Sequence, residues 1–176
     1  MHAMVSDPNL PLVRRLEAVG FRAWPASSVV YDGSWQVRLT GGHPGKRLNC
    51  VVPLDPSDSR DIALRIEKAG KRFEAHGRPL LVRQTPLSPK PLIDFLASDG
   101  WECFEEVVTM TGDLGRMTFP DTLDHLPTQD VGRYVDADIA VHGSDPGLKA
   151  ALAEILGNIK PASGLFVIED AVKGPL

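Results

Sequence analysis

The chain has 176 residues, 43% hydrophobic and 24% charged, with a formal net charge of −4. That composition excludes wholesale disorder and suits one domain, or one domain and part of another. No run approaches the roughly 20 apolar residues that span a bilayer. The scattered Lys and Arg, without interleaved aromatics, argue against a nucleic-acid partner.

Taken in chain order, residues 10–23 place Leu12, Leu16 and Val19 at helical spacing, with Arg14, Arg15 and Glu17 off that face. Pro11 suits a first turn, and a stop is expected near Gly20. Residues 28–32 are β-rich and end in Asp32-Gly33, a hairpin signal. Residues 35–40 alternate, with Trp35, Val37 and Leu39 on one face and Gln36, Arg38 and Thr40 on the other. After a glycine-rich turn at 41–45, residues 47–54 read as a third strand with Leu48, Cys50 and Val52 sharing a face.

The corner from Leu54 to Arg60 then leads into a helix expected over 57–75, capped by Ser57 or Asp58. Ile62, Ile66, Ala69 and Phe73 form its apolar stripe, and Gly77 closes it. A short strand is expected at 80–84, a helix at 91–98 and a long strand at 101–112, bent near Glu105-Glu106. No period persists from Asp113 to Gln129. Beyond it the pattern predicts a strand at 132–137, a turn at 142–146, a helix at 147–158 and a strand at 164–169. The closing Lys173-Gly174-Pro175-Leu176 reads as the turn of a hairpin without its second strand.

Few residues offer chemistry. Arg38, Arg47 and Asn49 are the candidate ligand-binding group: a polar sheet face on which two guanidiniums and an amide could hold a carboxylate or phosphate. The same residues could instead pair with Glu67 or Asp55, or tie down the hairpin. Glu102, Glu105 and Glu106 read as a solvated strand face rather than an acid/base pair. The five histidines lack metal-ligand spacing. Ser144-Asp145-Pro146 suits a helix entry rather than a nucleophile. Cys50 and Cys103 read as two buried small hydrophobes in a reducing cytoplasm. No leader is expected at the N-terminus.

The ordered series Ala23-Trp24-Pro25, Gly33 and Trp35 with Arg38, Gly41-Gly42, Lys46 to Val51 leading to Pro53-Leu54, Val82-Arg83 with Thr85-Pro86, Gly100-Trp101, and Val107 to Met110 closing on Asp113-Leu114 covers about residues 10–114. It resembles the N-terminal half of bacterial GNAT-superfamily acetyltransferases built from two GNAT-like halves. The resemblance implies an α+β fold with a mixed, mainly antiparallel twisted sheet and flanking helices. It implies a GNAT-like domain at 1–114, a linker at 115–130 and the incomplete start of a second GNAT domain at 131–176. It also implies acetyl transfer from acetyl-CoA to an amine in the intact family member, with the donor-binding turn falling beyond Leu176. The chain is therefore expected to be an N-terminal segment without catalytic, cofactor-binding or metal residues. In the first half, Pro56 to Ala63 stands where the pyrophosphate loop would lie; it lacks glycine and carries Asp58 and Asp61. The alternative function is a non-catalytic small-anion-binding or assembly module. Helix 147–158 and strand 164–169 are expected to dock on the first half, with a homodimer through the 164–169 edge as the other outcome.

Overall fold

The computed structural model describes residues 9–118, 126–160, 162–170 and 174–175. The N-terminal segment at 1–8, the centre of the expected linker at 119–125, and Lys173 and Leu176 of the closing turn lie outside the described residues.

The architecture is mixed helix and strand, with an antiparallel sheet at its centre. Helix α1 (Leu10–Ala23) begins on Asn9, whose side chain accepts from Leu12 N at 3.1 Å, and runs through Gly20. Strands β1 (Ser28–Asp32) and β2 (Trp35–Leu39) form a hairpin closed by Gly33-Ser34, in the register Asp32 to Trp35 and Val30 to Val37. Gly33 has φ of 58°, and a Cβ there would sit 2.7 Å from Asp58 Oδ2, so only glycine fits. A short 3₁₀ turn, Lys46–Leu48, precedes β3 (Cys50–Pro53), which pairs antiparallel with β2.

Helix α2 (Ile62–Glu74) follows the corner. Its exit is a Schellman turn: Arg78 N donates to Phe73 O, Gly77 N donates to Glu74 O, and Gly77 has φ of 62°. The chain then runs beside β3, with Val51 N donating to Leu81 O and Arg83 N donating to Val51 O, both at 2.8 Å. The strand expected at 80–84 is thus reduced to one parallel bridge between Val51 and Val82. Helix α3 (Lys90–Ser98) completes the layer.

One sheet face packs Trp35, Val37, Leu39 and Val51 against Ile66, Ala69 and Phe73 of α2 and Leu92 of α3. Each such side chain removed from water contributes roughly 1.5–3 kcal/mol. The opposite face is covered by α1, but not through the stripe read from the sequence. Leu12 and Val19 are exposed, whereas Val13, Leu16, Glu17, Phe21 and Trp24 turn inward. The sheet decides this: Arg38 stacks on the Phe21 ring at 4.4 Å, and Arg83 forms a two-pronged pair with Glu17 at 2.8 and 3.1 Å.

Two expected strands are absent. Residues 102–118 are exposed and form no β-ladder with any described residue, and their one regular element is a 3₁₀ turn at Leu114–Arg116. Glu105 adopts a left-handed conformation with φ of 54°, which breaks the extended run. Side chains alone hold it there: Lys46 pairs with Glu105 and lies over the Phe104 ring. The segment expected as a strand at 132–137 belongs to helix α4 (Val131–His142), capped by Asp130 on Arg133 N. Val135 and Ile139, four apart, pack on Leu152 of α5 (Lys149–Gly157), so helical periodicity prevails over the strand reading.

Trp24 packs on this α4–α5 cluster, and Ser27 Oγ donates to Glu154 Oε1 at 3.2 Å, which brings α5 onto the sheet half. The strand expected at 164–169 is a single bridge, in which Thr128 N donates to Leu165 O at 2.7 Å. Beyond it β4 (Glu169–Asp170) pairs with β5 (Gly174–Pro175), a partner that the sequence pattern did not supply.

The cysteines separate by environment. Cys50 is buried in β3, and burial pushes its thiol up to about 11. Cys103 is exposed, against the expectation that both are buried. A thiol-specific reagent at about pH 8 should therefore label one cysteine in the native chain and the second only after unfolding. Two fast equivalents in the native state would contradict the placement of Cys50.

Candidate functional site

The densest polar construction joins the β1–β2 hairpin, the corner after β3 and the start of α2. Asp58 Oδ2 accepts from Ser34 N at 2.9 Å and from Ser34 Oγ at 2.8 Å. Arg65, on the first turn of α2, donates to both Asp58 oxygens at 3.2 Å. Its guanidinium also donates to the carbonyls of Asp32 and Arg60 and lies 3.8 Å above the Trp35 ring. Both charged side chains are more than nine-tenths buried. The Ser34 backbone N–H is the largest of the influences holding the Asp58 carboxyl far below the usual carboxylate range, with Ser34 Oγ and Arg65 adding to it against the opposing effect of burial.

This corrects the capping assignment. Helix α2 starts at Ile62, not at 57, and neither Ser57 nor Asp58 caps it. Ser57 donates from both N and Oγ to Asp55 Oδ1, forming a local turn. Asp58 turns inward because a buried guanidinium and two donors offer it more than an exposed helix end does. The cap position falls to Asp61, which is left-handed with φ of 48° and makes no side-chain cap bond. The two aspartates thus divide the corner, one inside and one at its rim.

Of the group Arg38, Arg47 and Asn49, the Arg38 and Asn49 side chains are directed inward. Arg38 is 2% exposed; it donates to Arg47 O at 3.0 Å, Gln36 Oε1 at 2.8 Å and Trp24 O at 2.8 Å. Burial lowers its pKa from the ordinary arginine value, offset in part by Cys50, Tyr31 and Glu17. Asn49 accepts from Thr40 N and donates to His43 O and Gly45 O, fastening the glycine-rich turn. The Arg47 side chain is exposed, and only its carbonyl joins the cluster. Of the alternatives open at the sequence level, the hydrogen bonds match the tying of the hairpin. Glu67 pairs with Lys71 and Asp55 with Ser57, so neither meets these arginines.

The remaining candidates are dispersed. Glu102, Glu105 and Glu106 are exposed. Asp145 accepts from Gly147 N, as a helix entry does. His43 Nδ1 accepts from Gly45 N, and the His76 and His142 rings bond carbonyls of their own helices. Among the described residues no three His, Cys, Asp or Glu side chains gather as a metal site. No helix among them is long and apolar enough to cross a membrane.

Sequence reasoning missed the Asp58–Arg65 pair. A signal was present: Arg65 and Arg72 fall on the same helical stripe as Ile62, Ile66, Ala69 and Phe73. A cation within an apolar stripe needs a buried partner. No family model, curated protein or solved structure matches the chain.

The site predicts a pH dependence. A carboxyl depressed in the folded state stabilises fully above its unfolded pKa of about 3.9 and loses that contribution as pH falls towards the folded value. Wild-type stability should therefore fall below about pH 5, with part of the slope due to Asp58. The Asp58→Asn variant should be less stable at pH 7 by about 3 kcal/mol and show a shallower acid slope. Urea unfolding across pH measures both, and an unchanged slope would contradict the assignment.

Proposed function

We propose that this chain is a GNAT-like domain serving as the non-catalytic half of an acetyltransferase, supplying sheet and packing surface rather than the acetyl-CoA site. Supporting the fold part of the reading are the antiparallel β1–β2–β3 order and the passage through α2 to a segment parallel to β3 at Val82. The observation that carries the non-catalytic part is the corner between β3 and α2. Its interior is filled by the Asp58 carboxylate, held by Ser34 and Arg65, and Asp61 stands at the helix start. A diphosphate at a helix N-terminus needs close backbone N–H groups and no competing negative charge. This corner carries three carboxylates, Asp55, Asp58 and Asp61, and no glycine between Leu54 and Ile62. Arg65, the one buried cation there, is already neutralised by Asp58.

In this reading residues 101–112 are the element that extends the sheet, and Phe104, Val107, Val108 and Met110 are exposed for that reason. The test is calorimetry of the chain with acetyl-CoA. No heat of binding is expected, and a dissociation constant below about 10 μM would overturn the proposal.

A further inference from the structure

Three buried N–H donors have no hydrogen-bond acceptor among the described residues: Trp35 Nε1, Arg65 Nε and Arg72 Nε. Buried donors are ordinarily paired, because leaving one unpaired forfeits its hydration without replacement. All three side chains line one cavity of about 50 Å³ between the β1–β2 hairpin and α2. Arg65, Ala69 and Arg72 recur at the spacing that puts them on one face of α2. The other nitrogens of Arg65 are engaged by Asp58 and by backbone carbonyls, so its orientation is fixed. Its Nε lies 3.4 Å from Asp32 Oδ1, an ion pair without a hydrogen bond.

Arg65, Lys68 and Arg72 line the cavity. Asp58 offsets Arg65, and Asp32 lies 3.3 Å from Lys68, so the positive excess falls on Arg72. The remaining walls are Val30, Val37 and Ala69, with Tyr31 beside them. A single water needs about 10–15 Å³ of such space, so several heavy atoms fit.

We propose that this cavity binds a small carboxylate with a short aliphatic stem. The carboxylate oxygens accept from the unpartnered donors, and the stem lies against Val30, Val37 and Ala69. Inorganic phosphate is the poorer fit, because its oxygens would be turned towards apolar walls without donors. The inference does not rest on the acetyltransferase reading, and its failure would leave that reading untouched.

The experiment follows the Trp35 indole N–H resonance of the full chain by ¹H–¹⁵N NMR during titration with sodium propionate. Inorganic phosphate and neutral propionamide serve as controls at matched ionic strength. A saturable shift with propionate and none with either control is expected. Arg72→Met keeps the aliphatic stem, removes the donor and lies outside the Asp58–Arg65 pair; it should weaken propionate by about tenfold. A stationary Trp35 resonance, an equal response to phosphate or propionamide, or wild-type affinity in a folded Arg72→Met chain would overturn the proposal.

Discussion

The sheet half depends on one buried ion pair. Arg65 reaches from the first turn of α2 to Asp58 in the corner and to the Asp32 carbonyl in the hairpin, and it covers the Trp35 ring. Asp58 in turn receives both Ser34 donors. A helix, a corner and a hairpin turn are thereby fixed by two side chains. Desolvating such a pair costs several kcal/mol per ion, and it persists where geometry and added hydrogen bonds offset that cost. Here the added bonds are the Ser34 donors and the backbone carbonyls. The same arrangement forbids any side chain at Gly33, whose Cβ would meet Asp58.

A second buried arginine serves the opposite face. Arg38 projects from β2 towards α1 and is satisfied by Trp24 O, Arg47 O, Gln36 and the Phe21 ring. Beside it Arg83 and Glu17 join the segment next to β3 to α1. The sheet is thus held on each side by a guanidinium whose charge is dispersed over carbonyls and an aromatic ring, which suits the weak hydration of arginine. Both faces are committed to internal structure, and among the described residues the buried unpartnered donors gather at the groove between β1 and α2.

Much of this was legible locally. Asp32-Gly33 marked the hairpin, the alternation through Trp35, Val37 and Leu39 marked the core strand, and Gly77 marked the end of α2. Long-range relations were not. Asp58 looked like a helix cap because its partner Ser34 lies 24 residues away. Gln36, Arg38 and Thr40 read only as the polar face of β2, because nothing local shows that α1 covers them. The α1 stripe was misplaced for the same reason: Arg83 and Arg38 select Glu17 and Phe21, whatever the apolar spacing suggests. Residues 101–112 have strand composition but no neighbour, and a strand is defined by its neighbour. At 132–137 the expected strand was short, and the spacing of Val135 and Ile139 proved the stronger signal.

The central claim is that Asp58 and Arg65 act as one unit joining corner, hairpin and helix. A double-mutant cycle with Asp58→Asn and Arg65→Met, read by urea unfolding at neutral pH, tests it most directly. A coupling energy of about 1 kcal/mol or more is expected between the two positions. Single-variant losses that add to within about 0.3–0.5 kcal/mol would contradict it.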